Sequence, residues 1–276
     1  MKRWARESVR KRGGCGFVPT LGALHKGHKS LIRKARRENS RVVVSVFVNP
    51  YQFRKKQYLA YPRDLKADAA VARAEGADVL FAPGCRRMYP NGFESFVDMP
   101  DMFKRLRRQK LGWHYRAVLV VVMKLFGIVR PDRAYFGLKD PHQLALIEMM
   151  VKEFNMPVKV RPCPTVRERD GLAYSSRNAL LAPDERKTAA VIYRALKFAR
   201  DETLATGAGN WRKTTSRMKA MVNSGQKAAV EHIELVDARS LLPPGKECRE
   251  ILVYVAARIG RQRLTDNIRF RIKQQT

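Results

Sequence analysis

Two histidines three positions apart, His25 and His28, stand in the segment Pro19-Thr-Leu-Gly-Ala-Leu-His-Lys-Gly-His28. A glycine-containing turn here leads from an apolar stretch into an amphipathic one. Both imidazoles can therefore face one anion at the start of a helix, where backbone N–H groups and the positive end of the helix dipole favour negative charge. Imidazoles in that place, neutral or protonated, can donate hydrogen bonds to charge that grows on a phosphate in a transition state. The bland alternative is a pair of capping histidines on a solvent-facing turn. A metal reading has little behind it, because His114, His142 and His232 complete no zinc spacing with them.

Three more polar clusters follow. In Phe47-Val-Asn49-Pro-Tyr-Gln52-Phe, two neutral amides leave an apolar run. Amides bind hydroxyl and carboxylate oxygens without adding a charge that a closed site must compensate. In Tyr135-Phe-Gly137-Leu-Lys139-Asp140-Pro-His-Gln143, Lys139 suits phosphate, and Asp140 suits ribose hydroxyls or the placing of magnesium. Gln143 opens the next helix and can face back toward Asn49 and Gln52. In Arg167-Glu-Arg-Asp-Gly-Leu-Ala-Tyr-Ser175-Ser176-Arg177-Asn178, two hydroxyls and a guanidinium suit a phosphate clamp. Taken singly, each cluster also reads as a polar strand exit, a surface turn or a helix cap. No G-x-S-x-G elbow surrounds the serines, so a serine nucleophile is poorly supported. The phosphate-binding G-x-x-x-x-G-K-[ST] loop and the dinucleotide G-x-G-x-x-G are absent, which disfavours a kinase or an NAD dehydrogenase. Nucleotidyl transfer fits the four clusters better.

The elements that must position these residues alternate. Phe17 to Thr20 reads as a strand end, His28 to Glu38 as an amphipathic helix, and Arg41 to Val48 as a strand buried on both faces. A helix over about 64–75 and a strand over 76–82 come next. The valine-rich stretch 116–128 reads as a helix because no turn residue interrupts it before Gly127, although valine favours sheet. A strand over 131–136, a helix over 141–154 and a strand over 158–160 complete a doubly wound, parallel, Rossmann-like α/β sheet. Beyond that, helices over 183–200 and 211–222 and strands over 232–236 and 251–255 indicate a smaller α+β domain. The boundaries expected are 1–165 for a nucleotide-binding domain and 166–276 for a C-terminal lid.

Length and composition are compatible with this. The 276 residues are enough for one large or two unequal domains. Four scattered cysteines suggest a reducing, cytoplasmic setting. The uninterrupted apolar runs fall short of a membrane span, and no signal core follows the basic N-terminus. The formal net charge of +31 would attract nucleic acid or anionic nucleotides alike, so a basic nucleic-acid-binding protein stays as a competing reading.

The combination of motifs is specific. The segments Pro19 to His28, Ser45 to Phe53, Tyr61-Pro-Arg63, Met88-Tyr-Pro90, Lys124-Leu-Phe126, Tyr135 to Asp140 and Asp170 to Asn178 resemble the pantothenate synthetase family in order and separation, from Gly16 onward. That family sits among the cytidylyltransferase-like nucleotidyltransferases. The resemblance implies an ATP- and magnesium-dependent ligase that joins pantoate to β-alanine through a pantoyl adenylate, releasing AMP and pyrophosphate. It also implies a cytoplasmic homodimer. It places His25 and His28 on the ATP phosphates and Lys139, Ser175, Ser176 and Arg177 on the triphosphate. Gly137 and Asp140 fall to the ribose, Gln52 and Gln143 to pantoate with Asn49 nearby, and Asp68 to a carboxylate associated with magnesium. The chain departs from the family pattern at Leu21, Tyr51, Arg107, Trp113 and Ala117, where Arg107 reverses a charge and the last two replace glycines. An adenylyltransferase with another acceptor, or an impaired homologue, therefore stays open as well.

Overall fold

A computed structural model describes residue 1, residues 13–106 and residues 112–272. Arg107 and the basic cluster from Lys2 to Arg12 lie outside the described residues. The chain divides into two compact units, Met1–Cys163 and Pro164–Thr276.

In the first unit β1 (Cys15–Thr20), α1 (Lys26–Glu38), β2 (Arg41–Val46), α2 (Lys55–Leu59), α3 (Leu65–Ala74), β3 (Val79–Phe81), α4 (Cys85–Met88), α5 (Pro100–Arg105), α6 (Gly112–Val129), β4 (Arg133–Gly137), α7 (Pro141–Glu153) and β5 (Lys159–Cys163) follow one another. The strands make one parallel sheet in the order β3-β2-β1-β4-β5. Chain order therefore reverses between β1 and β4, and all five carboxyl ends lie on one edge. In open parallel sheets that edge, at that reversal, is where ligands bind.

Alternation along the strands explains the layers. Val18 and Tyr135 join Leu31, Ile32 and Ala35 of α1 in one core cluster. Their neighbours Phe17 and Phe136 each meet Phe126 of α6 edge-on, with ring centroids 6.3 Å apart. The valine-rich stretch is helical, as its unbroken run predicts. With 18 residues, α6 is long and apolar enough to cross a membrane by length and composition. Val118, Leu119, Val121, Val122, Leu125 and Phe126 are instead buried within the unit, which makes α6 a core helix.

The far end of α1 is fastened to the sheet. The Tyr135 hydroxyl donates to Glu38 Oε2 at 2.9 Å, and the Arg161 guanidinium donates to both Glu38 oxygens at 3.0 and 3.1 Å. Arg161 in particular holds the Glu38 carboxyl down at about 2. The helix that begins at the histidines is thus tied at its other end to β4 and β5.

The second unit packs α8 (Pro183–Thr206) and α9 (Trp211–Asn223) on an antiparallel sheet of β6 (Ala228–Asp237), β7 (Glu250–Ile259) and β8 (Gln262–Arg271), with β7 central. Ile192, Leu196, Met218 and Val222 meet Ile251, Val253 and Val255 in its core. The sequence reading passed over β8, a strand of alternating charge. Its signal was the turn Gly260-Arg261, with Gly260 at φ +55° in the first central position of a two-residue hairpin loop.

Candidate functional site

Three adjacent strands, β2, β1 and β4, deliver polar residues to the carboxyl edge of the first unit's sheet. At the exit of β1, His25 caps α1. Its Nδ1 accepts from the Gly27 N–H at 3.1 Å, and His28 Nδ1 accepts from the His25 N–H at 3.3 Å. A nitrogen that accepts an N–H carries no proton, so both rings are neutral tautomers with the proton on Nε2. The rings lie 4.1 Å apart. Burial, reinforced by the neighbouring His25, pushes His28 down to about 3, and burial also lowers His25. Of the two protonation states open to the sequence, the geometry selects neutral donors.

Upstream, the N–H groups of residues 22–24 are engaged. Gly22 donates to Thr20 Oγ1 at 3.1 Å, Ala23 to Asp68 Oδ2 at 3.1 Å and Leu24 to Asp68 Oδ1 at 2.8 Å. A cavity of about 280 Å³ opens at this edge, lined by Leu21, Gly22, Phe47, Arg63 and Asp68 among others.

At the exit of β2, Asn49 is fully buried. Its Nδ2 donates to Gln52 Oε1 and to the Ala117 carbonyl, each at 3.1 Å, while its Oδ1 accepts from the Tyr89 hydroxyl at 2.9 Å and the Tyr51 N–H at 3.3 Å. Both ends of the amide of Asn49, expected beside the substrate, are thus bonded within the protein. What it does is orient Gln52, whose Oε1 it holds, leaving the Gln52 Nε2 as the donor end. The His114 ring adds a bond to the Gln52 carbonyl at 2.9 Å. Sequence reasoning missed Tyr89 and His114 as organisers of this cluster, since no spacing connects either of them to Asn49.

At the exit of β4, the Leu138 N–H donates to the Cys163 carbonyl at 2.8 Å and fixes the turn against β5. Gly137 ends the strand, Lys139 is half-buried in the turn, and the exposed Asp140 stands at the N-cap of α7. Pro141 follows in the first turn, where its missing N–H costs nothing. Gln143 is half-buried in the same turn.

Ser175, Ser176 and Arg177 belong to the second unit. Ser175 caps a 3-10 turn, Ser176–Leu180, its Oγ accepting from the Arg177 N–H at 3.3 Å. The Arg177 side chain is exposed. Next to it, Asn178 donates to Glu168 Oε1 at 2.6 Å and to the Ala173 carbonyl at 3.0 Å. Arg186 bridges Glu168 and Asp170 and holds both carboxyls below the usual range. Deeper in the unit, Arg167 grips the buried Asp266 through two bonds, at 2.6 and 3.1 Å. Gly171 closes this loop at φ +90°, and a Cβ there would stand 2.0 Å from the Tyr193 ring.

Two departures from the family pattern sit comfortably. Ala117 lies inside α6, where alanine is a better helix former than glycine. Trp113 is partly exposed in the first turn of α6, edge-on to His114. Both positions that replace glycines are helical. Tyr51 packs edge-on against Tyr89 with centroids 4.6 Å apart.

Comparison with known proteins agrees with this arrangement. The family model described as pantoate-beta-alanine ligase matches residues 1–269. A pantothenate synthetase of Heliobacterium modesticaldum is 45% identical over 269 residues, covering 97% of this chain and 95% of its own. One from Thermotoga neapolitana is 43% identical over 268 residues, with the same coverage. Among solved structures, a pantothenate synthetase from Thermus thermophilus superposes with a TM-score of 0.83 at 40% identity, covering 97% of each chain. The pantoate-beta-alanine ligase of Francisella tularensis, solved with beta-gamma ATP and beta-alanine, gives 0.74 at 32% identity, covering 97% of this chain and 94% of its own. With its polar strand exits around the sheet's reversal and a match along nearly its whole length, the chain belongs to the pantoate-beta-alanine ligase family.

Proposed function

We propose that the protein activates pantoate with ATP as pantoyl adenylate and transfers the pantoyl group to β-alanine, releasing pyrophosphate and then AMP. The observation that carries the reading is the pair of neutral imidazoles, both with Nε2–H, at the β1 exit beside the reversal of the sheet. Neutral donors can strengthen their bonds as charge grows on the phosphates without having first lost a proton.

In the first step a pantoate carboxylate oxygen attacks the α-phosphorus in line, and the bond to the β-phosphate oxygen breaks. His28 and His25 donate to the phosphate oxygens, Lys139 neutralises the chain, and Gly137 and Asp140 hold the ribose. Gln52, oriented by Asn49, and Gln143 hold the pantoate hydroxyl and carboxyl oxygens. Ser175, Ser176 and Arg177, carried by the second unit as a lid, receive the departing pyrophosphate. In the second step the neutral amine of β-alanine attacks the acyl carbon and AMP leaves, so no protein nucleophile is needed. Aligning the acid with the α-phosphorus supplies much of the acceleration.

Magnesium enters this reading as part of the substrate, bound to the ATP phosphates. Among the described residues no group of three or more His, Cys, Asp or Glu side chains could hold a metal ion; Asp68, the carboxylate that the family resemblance associates with magnesium, accepts the loop amides and lines one cavity with Asp64. The family resemblance supports a homodimer. Four free cysteines agree with a reducing cytoplasm.

The test is AMP formation by purified protein, with the organic product identified by mass. The reading expects AMP release that needs both pantoate and β-alanine, and pantothenate as the product. AMP release that is indifferent to either would overturn the specificity. A different acceptor that serves better would favour the adenylyltransferase alternative.

A further inference from the structure

We propose that exposed cations beyond the exits of β2 and β3 form a collar around the cavity at the carboxyl edge of the sheet, and that their field draws in the anionic substrates, the polyphosphate of ATP most strongly. This deepens the function proposed above and rests on it. After β2 the chain crosses the carboxyl edge through α2 and the turn 60–64, runs back along α3, and emerges from β3 into α4. All three helices line one cavity of about 280 Å³, α2 with Tyr58, α3 with Leu65 and Asp68, and α4 with Cys85. Arg54, Lys55 and Lys56 stand at the start of α2, Lys66 in the first turn of α3, and Arg86 and Arg87 in α4. Each is within four positions of a residue that lines the cavity.

All six residues are exposed, and among the described residues none of them is in an ion pair. The cations of the neighbouring α1 differ, since Arg33 pairs with Glu75 and Arg36 with Asp78. Arg63 has another duty: its guanidinium donates to the carbonyls of Tyr58, Leu59 and Tyr61 at 2.6, 3.4 and 2.8 Å and lies 4.8 Å from the centre of the Tyr58 ring. It thereby fixes the turn that holds α2 at the rim. The carboxylates facing the collar are Asp64, whose Oδ1 accepts the Ala67 N–H at 2.9 Å, and the buried Asp68. Six unpaired cations against these two leave the rim positive. Unpaired surface charge adds little to stability, and like charges repel one another; what such an array supplies is a field. A cleft lined by one sign of charge raises the local concentration of the opposite sign by about 10–10³-fold at low salt, and the effect decays over a Debye length of about 8 Å at physiological ionic strength. A field acts in proportion to charge. The magnesium complex of ATP is a multivalent anion, pantoate a monovalent one, and β-alanine a zwitterion without net charge. The collar therefore ranks the three substrates, which a side chain touching only one of them would not do.

Two variants that lose the same charge isolate the effect. Lys55→Gln/Lys56→Gln/Arg86→Gln/Arg87→Gln strips the collar. Arg37→Gln/Arg130→Gln/Lys152→Gln/Lys159→Gln removes exposed cations from the opposite, amino edge of the same sheet. At low salt the collar variant should raise KM for ATP about 5–10-fold and KM for pantoate about twofold, with kcat and KM for β-alanine unchanged. The amino-edge variant should move none of them by more than about twofold, and salt raised toward 1 M, where the Debye length is about 3 Å, should erase the difference. A KM for β-alanine that rises as far as that for ATP, or an amino-edge variant as strong as the collar variant, would overturn the proposal. If the fourfold variant does not fold, the pairs at 55/56 and 86/87 are tested apart, each expected to raise KM for ATP about 2–3-fold. An inactive wild type would be a failure of the ligase reading alone, because calorimetry with inorganic tripolyphosphate still tests the collar. Binding at low salt that weakens in the collar variant and holds in the amino-edge variant supports it, and equal binding to both overturns it. Loss of binding to a short DNA duplex in the collar variant, with KM for ATP unmoved, would assign these cations to nucleic acid and overturn it as well.

Discussion

The histidine loop of the first unit and the Ser175–Arg177 loop of the second are held in opposite ways. The first is half-buried, its donors are neutral, and one carboxylate and a threonine hydroxyl satisfy the backbone of residues 22–24. The second lies in a mesh of guanidinium and carboxylate groups, Arg186 with Glu168 and Asp170, and Arg167 with Asp266. Neutral, desolvated donors fix a geometry that salt screens little. The partly exposed pairs of Arg186 with Glu168 and Asp170 are weaker per contact and sensitive to ionic strength, unlike the buried pair of Arg167 with Asp266. The contrast suits the two tasks proposed for these loops, in which the imidazoles would meet charge as it develops and the clamp would receive and then release a leaving group.

The sharpest way to break this contrast is at the chemistry itself. His28→Ala and Lys139→Ala should each lower kcat/KM by roughly 10²–10³-fold, the usual effect of removing a preorganised donor at developing charge. Stopped-flow or coupled AMP assays measure it. A loss under about fivefold at His28 would remove the imidazole from the transition state.

Next in size is stability in the second unit. Asp266→Ala strands Arg167, which is only 18% exposed at its side chain, and should destabilise that unit by on the order of 3–5 kcal/mol. Urea unfolding followed by the fluorescence of Trp211, which packs on that unit's core, reads this out. An unchanged midpoint would mean the pair contributes nothing.

The pH response sharpens the comparison from the other side. An unfolded histidine titrates near 6.5, and folded His28 is depressed to about 3. Within that window the unfolded chain binds the proton first. The stability His28 contributes is therefore fully present above about pH 6.5 and is lost as pH falls toward 3. Two-dimensional NMR of the ring should show His28 unprotonated at pH 5. A midpoint near 6 would contradict the neutral, desolvated imidazole.

The smallest expected effect is at the rim of the clamp. Glu168→Gln weakens a partly exposed pair with Arg186, so a two- to fivefold rise in KM for ATP is expected, shrinking as salt is added. The histidine loop predicts no such salt dependence. Equal salt sensitivity for His28→Ala would erase the distinction between the two regions.

Much of this was legible in the sequence for identifiable reasons. The apolar run at β2 and the glycine-framed histidines mark a buried parallel strand and a helix entrance, and period and composition carry both signals. The unbroken run of α6 outweighed the sheet preference of its valines because nothing interrupts it. By contrast, β8 hides behind charged residues whose partner is only a hairpin away. The saturation of Asn49 depends on Tyr89 and on the Ala117 carbonyl, and the bonds of Asp68 reach two loop amides more than forty positions upstream. Contacts of that kind are set by the folded arrangement, and no local pattern reports them. The histidine tautomers belong to the same class, since they follow from which backbone N–H each ring accepts.

The central claim is that the acid's own oxygen forms the bond to the α-phosphorus. It is tested most directly by giving the protein pantoate labelled with ¹⁸O in both carboxylate oxygens and weighing the products. Attack at the α-phosphorus followed by expulsion of AMP predicts one ¹⁸O in AMP and one in the new amide carbonyl. Label in inorganic phosphate alongside ADP, or AMP free of label, would contradict it.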